Sequence, residues 1–138
     1  MSLPLRSVVV ATLAALAALA VSGCGRAGDR DAVRGVAEGF YAAVDVDHGE
    51  RACALLSTDT RTALEDQESE PCAKAVEKLD LTGGRPGAVR VYSTEASVEL
   101  VGGDTVFLGH TAHGWRISAA GCRPAPKHGE PAQCEVQA

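Results

Sequence analysis

The sequence predicts an α+β domain in which N-terminal helices pack on a curved antiparallel sheet. Three observations carry that expectation. Apolar residues recur at helical spacing as far as Leu79. The run Thr82–Gly87 (TGGRPG) then breaks the chain. Beyond it the pattern alternates residue by residue, as strands with one buried face require. Helices first and a meander after give two packed layers, with the sheet folded around the first helix.

The first helix is expected over Asp31 to Val44, where Val33, Val36, Ala37, Phe40, Tyr41 and Val44 share one face. Asp29 or Asp31 suits its N-cap. Gly35 and Gly39 cost helix stability, so each is either a close-packing point or a tolerated defect. Asp45–Gly49 (DVDHG) reads as a turn. Glu50–Ser57 starts a second helix with Cys53 and Leu56 on one face, and Thr58 or Asp59 caps a further turn through Leu64. Asp66–Glu70 (DQESE) reads as a charged loop. Pro71 then opens a helix whose buried face is Cys72, Ala75, Val76 and Leu79. In the second half, Val89, Val91 and Ser93 face one way in a first strand, and Ala96, Val98 and Leu100 in a second. Gly102-Gly103-Asp104 turns the hairpin. Thr105–His110 is a third strand, His113-Gly114 a turn, and Trp115–Ala120 a fourth strand with Trp115 and Ile117 on one face. The proline-bearing tail from Cys122 is expected to be irregular.

The N-terminus reads as an address. Met1–Arg6 carries one positive charge, and Val8–Val21 is an apolar run of 14 residues. A membrane span needs about 20, so the run fits the apolar core of a secretion signal. Val21-Ser22-Gly23-Cys24 resembles a bacterial lipobox: an apolar residue, two small ones, then cysteine. The resemblance implies cleavage before Cys24, a diacylglyceryl group on its thiol and acylation of its new amine. Several acyl chains hold a protein stably to a membrane. The expected organisation is a lipoprotein signal peptide at 1–23, a lipidated tether at 24–30, and a single domain at 31–138. The expected address is extracytoplasmic, at the outer face of the cytoplasmic membrane.

Four cysteines remain, an even number in an exported chain, which implies disulfides. Of three possible pairings, sequence proximity favours Cys53–Cys72 and Cys122–Cys134. No pair has metal-binding C-x-x-C spacing. The charges exclude a nucleic-acid partner. The whole chain carries −5, and the leader's only charge is Arg6, which leaves −6 for the rest. Two Phe, two Tyr and one Trp leave little for stacking on bases.

A wider resemblance covers Asp31 to Val136. Phe40-Tyr41-Ala42-Ala43, Ala52-Cys53-Ala54-Leu55-Leu56, Pro71-Cys72, Gly114-Trp115-Arg116-Ile117 and Gly121-Cys122-Arg123-Pro124 follow in order, with Pro131–Cys134 closing the pattern. This resembles small actinobacterial lipoproteins with a nuclear transport factor two-like (cystatin-like) cone. The resemblance implies a helix-filled conical half-barrel and no settled activity, since fold does not fix function.

That superfamily includes isomerase-like and cyclase-like enzymes with an Asp, His or Tyr inside the cone. The corresponding candidates are Tyr41, Tyr92 and His110. The expected lining of any cavity is Phe40, Tyr41, Tyr92, Phe107 and Trp115. His110-x-x-His113 has ligand spacing but no third ligand, and reads as a solvated turn. Asp45-Val46-Asp47 starts like a calcium loop but lacks its closing Glu. Glu65–Glu70 is a solvated acidic run. No nucleophile triad, phosphate loop or paired buried carboxylate is present, and no cofactor is expected. The sequence therefore favours a membrane-anchored, non-catalytic binding module of the cell envelope, with an envelope protein or a small apolar ligand as partner. The alternative is a cone-fold enzyme working by acid/base catalysis on a small apolar molecule.

Overall fold

A computed structural model of the chain describes residues 24–124, 127 and 131–138. The leader, 1–23, lies outside the described residues. The elements run α1 (Cys24–Asp45), α2 (Gly49–Leu55), α3 (Thr58–Glu68), α4 (Cys72–Ala75) with a 3₁₀ turn (Val76–Lys78), β1 (Pro86–Tyr92), β2 (Glu95–Leu100), β3 (Thr105–Thr111), β4 (Gly114–Cys122) and β5 (Val136–Gln137). The five strands form one antiparallel sheet in the order β1-β2-β3-β4-β5. The α+β class and the helices-then-meander order follow the sequence reading. No helix among the described residues is long and apolar enough to cross a membrane.

α1 covers one face of the sheet with the stripe that the periodicity marked. Val33, Ala37 and Phe40 are fully buried, and Tyr41 nearly so. They meet Val98, Val106, Leu108, Trp115 and Ile117 from the strands. The helix already includes Cys24, seven residues before the expected start. Residues 24–30 are helical rather than an irregular tether, and neither Asp29 nor Asp31 is a cap. Asp29 is held there by a tertiary contact: its Oδ1 accepts from the Trp115 indole N–H at 3.3 Å. Gly39 is a close-packing point, since a Cβ there would meet Leu55 at 3.3 Å, whereas Gly35 faces open space.

Two further boundaries differ from the sequence reading. Ser57, not Thr58 or Asp59, caps α3, accepting from the Thr60 N–H at 3.1 Å. α3 then continues through Glu68 and stops at Ser69 in the left-handed conformation, so most of the expected acidic loop is helix. Glu65 has a structural task in it. Its Oε1 accepts from the Cys72 N–H at 3.1 Å, caring for the start of α4, where Pro71 offers no side-chain cap. Glu70 pairs with Lys78 at 3.0 Å.

Both disulfides are formed, as Cys53–Cys72 (S–S 1.99 Å) and Cys122–Cys134 (2.09 Å). The first joins α2 to α4. The two segments approach so closely that a Cβ on Gly49 would overlap the Ala73 carbonyl. The second returns the tail to the end of β4, where it adds the short β5 beside Ala119 and Ala120. That strand was not legible in the tail's composition.

β4 departs from simple alternation. Its register against β3 slips between Thr105 and Phe107 and again between Phe107 and Leu108, the mark of two bulges. The Ser118 carbonyl accepts from the Thr60 hydroxyl at 3.0 Å and from the Ala138 N–H at 3.2 Å. Gly121 has φ +66°, and a Cβ there would collide with Glu135 and Leu81. The end of the strand is thereby buried on both sides, from Ala119 through Cys122.

Candidate functional site

The five aromatic candidates separate into two groups. Phe40, Tyr41 and Trp115 belong to the core between α1 and the sheet. Phe40 and Tyr41 pack edge to face at 5.3 Å between ring centres. The His110 ring stands edge-on to Trp115 at 5.0 Å, so His110 has an aromatic partner at the end of β3. Tyr92 and Phe107 do not line that interior. Tyr92 is 63% exposed and Phe107 39%, both on the opposite face of the sheet. The reason is strand parity. Val106 and Leu108 both point at α1, which turns the intervening Phe107 outward. Tyr92 lies one residue beyond half-buried Val91, and Ser93, which was expected to extend the inner face, is instead a turn residue at φ +54°.

Beneath the far end of α1 lies a buried polar junction that sequence reading missed. Asp104 was legible only as a turn residue, yet it is 2% exposed. Its Oδ2 accepts from the Thr82 N–H at 2.6 Å and from the Tyr41 hydroxyl at 3.4 Å, and Arg123 Nε lies 3.9 Å from Oδ1. Burial pushes the Tyr41 hydroxyl well above the usual tyrosine range, and the neighbouring Asp104 charge pushes it further; a backbone contact at Gly121 offsets part of the rise. A hydroxyl held protonated donates a hydrogen bond and is a poor base. Tyr41, Tyr92 and His110 are not brought together: one is buried, one is on the outer face, and one is at a strand end. Among the described residues no cluster of three or more His, Cys, Asp or Glu is placed to hold a metal ion.

Depressions open on the described surface beside Gly49, Arg26, Phe107 and Ser57, and none of these is lined by Phe40, Tyr41 or Trp115. One lies on the outer face of the sheet. It has a volume of about 450 Å³ and is bordered by Tyr92, Phe107, Ser97, Arg90 and Glu99, with Arg123 at its far end. The strand register sets this row. Arg90 is opposite Ser97, and Ser97 is opposite Phe107, so three adjacent strands contribute side by side. Arg90 and Glu99 form an ion pair beside the aromatics. Two exposed aromatics in one groove, flanked by a charged pair, suit contact with another molecule better than they suit chemistry. Comparison of the chain with family models, with curated proteins and with solved structures gave no match.

Proposed function

We propose that this chain is a lipid-anchored, extracytoplasmic, non-catalytic module of the cell envelope that binds a segment of an envelope protein on the outer face of its sheet. The lipobox-like VSGC sequence supports the anchor, and two disulfides suit an oxidising compartment. The observation that carries the binding reading is the pairing of Tyr92 and Phe107 in one open groove while Phe40, Tyr41 and Trp115 are buried in the core. An apolar small molecule needs an enclosed, mostly apolar pocket. This groove is open and carries the Arg90–Glu99 ion pair at its border, which favours a protein segment. The nuclear transport factor two-like cone belongs to the same proposal. It is supported by α1 packing against β1, β2 and β4 together, as a sheet wrapped around a helix requires.

The test is photo-crosslinking from the outer face in intact membranes, with the Tyr92→Ser/Phe107→Ser variant as comparison. Expected is a discrete cross-linked partner that disappears in the variant. Stability should change by no more than about 0.5 kcal/mol, because both side chains are exposed. A partner retained by the variant refutes the surface. In parallel, Cys24→Ala should release the chain from the membrane fraction, and retention refutes the anchor.

A further inference from the structure

The start of α1 carries a second, chemically different surface. Arg26 and Arg30 lie one turn apart on the same helical face. With Asp29, Val91 and Ser93 they border a depression of about 610 Å³ between the first turns of α1 and the end of β1. Among the described residues neither guanidinium has a carboxylate within ion-pair distance; nearby, Asp29 accepts from the Trp115 indole and Asp31 pairs with Arg34. Arg116 lies at the same end of the sheet, on β4 beside Trp115. The opposite end is acidic: Asp80, Asp104 and Glu135 all surround Arg123. A chain carrying −6 after Cys24 thus sets Arg26, Arg30 and Arg116, against Glu95 opposite Tyr92, where its anchor would be attached.

We propose that this end of the domain rests on an anionic phospholipid surface, with Arg26 and Arg30 as ligands for headgroup phosphates. The proposal rests on the reading of Cys24 as the acylated residue. Geometry then makes a weak patch sufficient. The described chain is helical from Cys24 onward, with no irregular spacer before Arg30, and at about 1.5 Å per residue Arg30 stands roughly 9 Å along the helix from Cys24. That is about one Debye length at physiological salt. The anchor supplies a high effective concentration of headgroups, so two arginines need only orient the body. Each basic group near an anionic surface favours contact enough that the pair shifts the docked-to-undocked ratio by about thirty-fold.

The experiment uses the oxidised chain from Cys24 onward. Four of the five cysteines are in disulfides, so the Cys24 thiol alone can be coupled to a maleimide phospholipid. The anchor is thereby supplied whether or not cells acylate Cys24. The single tryptophan, Trp115, is the energy donor to a dansyl headgroup acceptor. Vesicles of phosphatidylcholine are compared with vesicles that also contain phosphatidylglycerol. Expected is higher transfer with phosphatidylglycerol, loss of the excess at high salt, and its loss in Arg26→Glu/Arg30→Glu with an unchanged unfolding midpoint. Arg26→Lys/Arg30→Lys should retain it. Equal transfer in the two vesicles, or an excess that survives charge reversal, overturns the proposal. The mass of the native Cys24 peptide is a separate measurement: a bare thiol there refutes the anchor reading and leaves the vesicle result to be judged alone.

Discussion

Asp104 shows how a residue that composition assigns to a turn can become a junction. Three elements reach it: α1 through Tyr41, the 82–87 segment through the Thr82 N–H, and the end of β4 through Arg123. Tyr41 was legible as a core residue from its place on the helical stripe. Its partner was not, because 63 residues separate the two and only the folded sheet brings the hairpin under the helix. The same limit applied to Phe107. Val106-Phe107-Leu108 is a continuous apolar run, and alternation alone does not say which parity faces in. Tyr41→Phe should cost about 1 kcal/mol at neutral pH, the net worth of one buried hydrogen bond. Its pH dependence is more diagnostic. The native hydroxyl ionises well above the ordinary tyrosine value of 10.0. Above that value the unfolded chain loses this proton while the native chain keeps it, so the unfolded state binds fewer protons and stability falls as pH rises. The phenylalanine variant lacks this loss. Urea unfolding from neutral pH to about pH 11 should therefore show the gap between the two proteins narrowing. A constant gap refutes the coupling.

At the scale of elements, periodicity located α1, α2, β2, β3 and the core of β4, because each buries one face on a regular repeat. What it missed arises from contacts distant in sequence. The helical residues before Asp31 include Asp29, whose partner Trp115 is 86 residues away. In the bulged β4 the Ser118 carbonyl is shared by the Thr60 hydroxyl and the returning tail, both remote in sequence. β5 is two residues long and has no pattern of its own; it pairs because Cys134 brings Val136 beside Ala120. The two disulfides accordingly do different work. Cys53–Cys72 ties helices within the core, whereas Cys122–Cys134 ties down an edge. In Cys122→Ala/Cys134→Ala, amide exchange should accelerate at Glu135 and Ala138, whose N–H groups bond Ala120 and Ser118. Val98 and Leu108, central and buried, should accelerate only by the roughly hundred-fold that a loss of about 3 kcal/mol in global stability implies. Uniform acceleration across the sheet would show that the tail is integral to the core.

For the whole molecule, the cross-links bear on whether the fold is stable at all. Residues 24–138 make a small domain whose core is mostly Val, Ala and Leu with one buried Phe and one Trp. Domains of this size bury a modest share of their surface and retain about 5–15 kcal/mol. The disulfides close segments of 19 and 12 residues, and the chain-entropy estimate for each is about 3 kcal/mol. Together they exceed the lower bound of that range, so the oxidation state of the four cysteines bears directly on whether the fold persists. Reduction followed by thiol blocking should lower the urea unfolding free energy by about 6 kcal/mol. At 37 °C the reduced chain should be cut rapidly by protease while the oxidised chain resists, since cleavage follows the population of the open state. Reduction removes no partner from the buried junction at Asp104 or from the cap at Ser57, so the difference reports the cross-links. A reduced chain with the oxidised midpoint would mean that packing alone suffices, and the compartment would then be a matter of address rather than of folding.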